Sequence, residues 1–138
     1  MKAADLESLG RRAVACKGWR WMPGMLARRH TPQGLDICRR HSETDVRPAP
    51  PADEYADLTD PATLGCLLHL VREAWPHEWH QFMVPIFDGI SHWYMGCLMP
   101  GTSRIVMPTR VMQNGLLDAL PPKPTEAEAL VAALEAAP

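Results

Sequence analysis

Residues 79–87 (WHQFMVPIF), 90–99 (ISHWYMGCLM) and 103–108 (SRIVMP) are three runs rich in aromatic and β-branched side chains, parted by Asp88-Gly89 and by Pro100-Gly101-Thr102. Such side chains fit the pleated surface of a sheet, and Asp-Gly supplies two positions that tolerate the positive φ of a tight hairpin. The spacing predicts a three-stranded antiparallel meander over 79–108. Pro85 has no N–H to give to a ladder, so the first of these strands belongs at an edge or at a bulge. A long exposed edge strand favours a homodimer or strand addition, and Pro85 blunts this one.

Outward from the meander the apolar period becomes helical. Asp60 suits an N-cap and Pro61 the first helical position, and Leu64, Leu67, Leu68, Val71 and Trp75 form one stripe that Pro76 ends. Thr125 and Glu128 have capping-box spacing ahead of Leu130, Val131 and Leu134, which predicts a C-terminal helix running to Pro138. Toward the N-terminus, Leu6, Leu9, Ala13 and Val14 predict a helix from Ala3 to Cys16, with Gly10 inside it and Lys17-Gly18 as its stop. Met25–His30 and Leu35–Arg40 flank Thr31-Pro32-Gln33-Gly34, a second hairpin. Residues 46–57 (VRPAPPADEYAD) hold three prolines within 48–51 and read as a proline-rich extended connector. The expected fold is α+β. A small antiparallel sheet, the 79–108 meander with the 25–40 hairpin as its candidate extension, packs against two or three helices in one domain over 1–138.

Charge divides the chain. Of 138 residues with net charge −2, residues 1–47 hold ten Lys and Arg against five Asp and Glu, net +5, whereas residues 48–138 hold four against eleven, net −7. Hydrophobic residues at 46% and charged residues at 22% match ordinary globular chains, so a packed core is expected. No run of about 18 apolar residues is present, which excludes a membrane-spanning helix. The opening MKAADLE reaches an acid within five residues and has no apolar segment, so the expected compartment is the cytoplasm. Cys16, Cys38, Cys66 and Cys97 form no C-x-x-C pair and read as small buried hydrophobes.

Catalytic chemistry finds little purchase. His77-Glu78-Trp79-His80 approaches a zinc-hydrolase helix, but that helix needs histidines four apart, and the residue four after His77 is Gln81. A structural zinc held by His77, His80, His92 and Cys97 remains an alternative to having no cofactor, if residues 76–80 form a turn. Cys66 lies in an apolar stripe and Cys16 at a helix C-terminus, settings that raise a thiol pKa. Asp53-Glu54 and Asp57/Asp60 fall in the connector and at a cap, where solvation and capping account for them. No phosphate loop, nucleophile elbow or dinucleotide fingerprint occurs.

The basic third offers candidate binding residues. Trp19-Arg20-Trp21 sets a guanidinium between two indoles, and the pairs Arg28-Arg29 and Arg39-Arg40 flank the 25–40 hairpin. Cations interleaved with aromatic faces suit phosphate contact with base stacking, or the acidic surface of a protein partner. The competing structural reading puts Trp19 and Trp21 on one strand face and pairs Arg29 with Asp36 across the hairpin. Opposite charges would then serve cohesion.

Three segments, Trp19-Arg20-Trp21-Met22-Pro23-Gly24-Met25, residues 57–68 (DLTDPATLGCLL) and Val71-Arg72-Glu73-Ala74-Trp75, with the ending at 125–134 (TEAEALVAAL), resemble small proteins of tailed bacteriophages and prophages. The resemblance covers under half of the chain. It implies phage origin and action in the bacterial cytoplasm, and it brings no activity or catalytic residue with it. The function expected is a non-enzymatic phage accessory protein that binds a host or phage macromolecule, a protein ahead of a nucleic acid, as an inhibitor of a host defence or replication component. The alternatives are a nucleic-acid-binding module using the basic third and a small zinc-containing protein.

Overall fold

Helix α1 (Ala3–Ala15) lies against strand β3 (Glu54–Ala56), and Gly10 is what lets it come close: a Cβ built there would enter the van der Waals sphere of the Ala56 carbonyl oxygen. That contact belongs to the first of two compact units, Met1–Leu67 and Leu68–Pro138, into which the chain of 1–138 divides. The structure is a computed structural model that describes residues 2–41, 53–75, 83–98, 105–106, 109–111 and 117–138. The fold is α+β, with three helices and small antiparallel sheets among the described residues.

In the first unit, β1 (Leu26–Thr31) and β2 (Gly34–Arg39) form the expected 25–40 hairpin about Pro32-Gln33, and β3 pairs antiparallel with the other side of β1. The sheet order is β2-β1-β3. Strand β3 corrects the reading of 46–57 as a connector at its C-terminal end. Glu54, Tyr55 and Ala56 are all buried, because β1 offers a second edge and α1 a lid, whereas residues 46–52 lie outside the described residues. Leu9 and Ala13 of α1, Met25, Ala27, Tyr55, Ala56 and Leu58 make the core of this unit. Burying each of the larger of these contributes about 1.5–3 kcal/mol. The α1 N-terminus is closed by Asp5, whose carboxylate accepts from the Lys2 backbone N–H at 3.0 Å.

Helix α2 (Pro61–Ala74) starts in the first unit and ends in the second. Asp60 caps it as expected, its Oδ2 accepting from the Thr63 N–H and hydroxyl, each at 2.9 Å. Buried Thr63 in turn accepts from the Leu26 N–H at 2.8 Å, which ties the first turn of the helix to β1.

The second unit contains the meander. Strands β4 (Met83–Phe87), β5 (Trp93–Leu98) and β6 (Ile105–Val106) pair antiparallel in that order, with Pro85 on the edge strand as its missing N–H requires. The 25–40 hairpin does not extend this sheet; it stands in a separate sheet, with β3 beside β1. Strands β7 (Thr109–Val111) and β8 (Leu117–Ala119) form a further two-stranded ladder. Helix α3 (Glu126–Glu135) packs on β4 and β5, capped by Thr125, whose hydroxyl accepts from the Glu128 N–H at 3.2 Å. Leu130, Val131 and Leu134 of α3 are buried, as are Met83 and Met95 of the sheet. At the end of α2, the buried Trp75 indole donates to the Ala133 carbonyl at 3.0 Å and Arg72 Nε to the Met83 carbonyl at 2.9 Å.

Candidate binding surfaces

Four of the candidate binding arginines are held by carboxylates within their own unit. Arg29 meets Asp36 at 2.8 Å across a direct cross-strand pair, as the structural reading of the hairpin anticipates. Arg28 reaches Asp57 at 2.7 Å, Arg39 reaches Asp60 at 2.8 Å, and Arg40 reaches Glu54 at 2.6 Å. Glu54, Asp57 and Asp60 come from the acidic part of the sequence, brought to the basic part by β3 and the α2 cap. Residues 1–67 carry ten Lys and Arg against nine Asp and Glu, so the unit is nearly neutral at net +1. This corrects the assignment of Glu54 and Asp57 to solvation, for both are buried and paired.

The aromatic members of the candidate set turn inward. Trp19 and Trp21 meet edge to face with ring centroids 5.4 Å apart, and the Arg40 guanidinium lies 4.7 Å over the Trp21 ring. Stacking on Arg40 occupies an indole face that a base would need. The expected strand through 19–21 does not form; this segment is a loop, with Arg20 exposed. Among the described residues, neither buried indole Nε1 nor Glu54 Oε2 has a hydrogen-bond partner.

Arg39 and the Thr63 donors hold the Asp60 carboxyl at a pKa of about 2, the Arg39 contact being the larger influence. Burial pushes the Asp57 carboxyl up, but the Thr59 hydroxyl and N–H, and then Arg28, together bring it below its ordinary value. The unfolded carboxyl titrates near about 3.9, so a depressed folded value gives stability that is complete above that pH and lost as pH falls toward about 2. Thermal midpoints are therefore expected to hold from neutral pH to about 4.5 and to fall between about 4 and 2. Asp60→Asn, which keeps a capping side chain without the charge, should lower the neutral-pH midpoint and flatten that acid limb. An unchanged acid limb in this variant would place the pH-sensitive group elsewhere.

On the outer side of α1, a shallow groove of about 570 Å³ runs past Ala4, Glu7, Ser8, Arg11, Arg12 and Ala15. Its acid is already engaged. Glu7 lies 2.9 Å from His30 and 2.8 Å from Arg11, contacts that lower its pKa, while Arg11 also covers the Tyr55 ring at 5.2 Å. The groove holds a carboxylate already engaged by Arg11 and His30, a poor general base.

Among the described residues, large exposed apolar side chains fall in two places, neither of them in the candidate set. One is the β4–β5 hairpin tip, where Phe87 is 47% and Ile90 86% exposed. In place of a two-residue Asp-Gly turn, residues 88–92 form a longer loop around the Asp88 carboxylate. Its Oδ1 accepts from the N–H groups of Ile90 at 2.8 Å, Ser91 at 2.8 Å and His92 at 3.0 Å. These three donors hold the Asp88 pKa at about 2, and Gly89 takes the left-handed backbone, φ 82°, that the loop requires. Behind the tip the Phe87 and Trp93 rings meet at a tilt of 42° with centroids 5.3 Å apart, and Trp93 exchanges two backbone hydrogen bonds with Lys123, at 2.7 and 2.9 Å. An isoleucine directly after Asp-Gly, where turn chemistry favours polar residues, is the sequence signal for this feature. The second place is β2, where Leu35 and Ile37 stand on one face at strand spacing.

The zinc candidates are not brought together among the described residues. His77, His80 and the Cys97 side chain lie outside them, and His92 turns to Ser91 Oγ at 2.7 Å and Asp88 at 3.6 Å. No group of three His, Cys, Asp or Glu able to hold a metal ion occurs among the described residues. The Cys66 thiol pKa is raised, chiefly by burial, which fits an unreactive cysteine. No helix among the described residues is long and apolar enough to cross a membrane. Compared with known proteins, the chain matches no family model, no curated protein and no solved structure.

Proposed function

We propose that this chain is a non-enzymatic binding protein that grips a protein partner through the β4–β5 hairpin tip. The observation that carries the reading is the clamped, outward-facing Ile90: an apolar side chain at 86% exposure on a loop fixed by three hydrogen bonds to one carboxylate. A loop ordered before binding loses little conformational entropy on docking, and an aliphatic anchor between aromatic flanks suits an apolar pocket. The resemblance to small phage and prophage proteins gives this binder its setting, the cytoplasm of a bacterial host, and its target class, a host or phage protein such as a defence or replication component.

A nucleic-acid role has less support. Arg28, Arg29, Arg39 and Arg40 would each have to leave a carboxylate to reach a phosphate.

Immobilised full-length chain is expected to retain a specific bacterial protein from lysate, and Ile90→Asp to weaken that retention about tenfold or more, as for loss of a central apolar anchor. The variant should keep the wild-type circular dichroism, since Ile90 touches solvent. Equal retention by Ile90→Asp removes the tip from the reading, and salt-dependent retardation of DNA or RNA by the wild type would restore the nucleic-acid alternative.

A further inference from the structure

Strand β2 is the outer strand of its sheet, and no described strand pairs with its far edge. The two-residue turn Pro32-Gln33 closes on the pair Thr31 and Gly34, which in such a hairpin exchanges both backbone hydrogen bonds. By alternation Asp36 and Cys38 then direct their N–H and C=O groups to β1, and Leu35, Ile37 and Arg39 direct theirs outward. The side chains of these same three residues share one face, where Leu35 is 44% and Ile37 51% exposed. Neither a proline nor a bulge interrupts Leu35 to Arg39, and its two charged side chains, Asp36 and Arg39, are already paired with Arg29 and Asp60.

We propose that this edge pairs antiparallel with the β2 edge of a second copy of the chain, with Ile37 facing its twin on the twofold axis. Directly opposed residues lie on the same face, so odd-numbered residues must meet odd-numbered ones. With Ile37 at the centre, Leu35 of each copy opposes Arg39 of the other, and all three outward residues enter hydrogen-bonded pairs. A shift by one pair toward the N-terminus sets Asp36 against Asp36, and a shift the other way leaves Leu35 beyond the strand end of its twin. The central register also suits the charges. Arg39 is held by Asp60 at 2.8 and 3.2 Å and donates to the Gly24 carbonyl at 2.6 Å, so it brings its aliphatic stem to Leu35 with its charge already compensated. A sequence that complements itself in one register points to its own copy.

Sedimentation velocity of the full chain across the micromolar range should resolve a monomer–dimer equilibrium. Ile37→Lys should weaken it about tenfold or more, and Ile90→Asp should leave it unchanged. A chain that stays monomeric, a dimer indifferent to Ile37→Lys, or one lost with Ile90→Asp overturns the proposal. A second arm reads the register without relying on the lysine variant. Hydrogen-bonded antiparallel partners have Cα atoms about 5.5 Å apart, within disulfide range. Oxidised Ile37→Cys should therefore give a covalent dimer by mass, and an equal yield from Leu35→Cys or from the unaltered chain would overturn it.

Discussion

Gly10→Val is expected to destabilise the first unit by about 2–3 kcal/mol, although a glycine within a helix is ordinarily worth replacing. Removing that glycine should gain about 1 kcal/mol of helix propensity for alanine, and less for valine. Here the gain is outweighed because the new Cβ meets the Ala56 carbonyl oxygen, with the Tyr55 ring beside it. The obstructing atom is backbone in a buried strand hydrogen-bonded to β1, so it cannot turn aside as a flexible side chain would. Helix α1 must lift off β3, which exposes Leu9 and Ala13 and loosens the contacts of Glu7 with His30 and of Arg11 with Tyr55. Urea unfolding followed by tryptophan fluorescence should show a lower midpoint for Gly10→Val and a smaller loss for Gly10→Ala. Ser8→Ala, on the outer side of the same helix, serves as the control and should unfold as the wild type does. Equal midpoints for wild type and Gly10→Val would mean that α1 does not approach β3 so closely.

Arg40→Met should cost about 3–5 kcal/mol, the largest loss expected from a single charge change, because it leaves a buried carboxylate behind. The two side chains are 7% and 4% exposed, their contact is 2.6 Å, and Glu54 Oε2 has no hydrogen-bond partner among the described residues. Two ions drawn from water recover only part of their hydration from each other, so the pair holds the fold without adding much to it. Arg40→Met combined with Glu54→Leu should therefore recover most of the loss, since both charges leave together and their volume is kept apolar. The Trp21 ring gains nothing from the sulfur comparable to the guanidinium it loses, so recovery should fall short by about 1 kcal/mol or less. Chemical denaturation of the four chains in this cycle gives the coupling directly. Additive losses, with the double variant worse than either single one, would show that the two residues act apart.

Local signals carried much of this fold. Asp60-Pro61 and Thr125 to Glu128 announce two helix starts through chemistry that needs no neighbour beyond the next turn, and both caps form. Pro85 declares an edge strand because a missing donor is a covalent fact. The readings that changed all depended on residues distant in sequence. Strand β3 is three residues beside a proline-rich run and has no pattern of its own; the free edge of β1 makes it a strand.

The candidate site shows the same division. Alternation of charge and aromatic side chains marked Trp19, Arg20, Trp21 and the arginine pairs, and only Arg29 with Asp36 had a partner visible at short range, seven residues away in a hairpin. Arg28 and Asp57 are 29 residues apart in sequence, and Arg39 and Asp60 are 21. Chain composition records both signs of charge but not which carboxylate each guanidinium will meet. The sequence by itself determined the helices, the caps of α2 and α3, the two hairpins and the +5 and −7 division of charge. Tertiary structure alone decided that much of this division would be cancelled across β3 and the α2 cap, leaving the apolar β2 edge and hairpin tip exposed, because ion pairing depends on distance in space and exposure on what packs above.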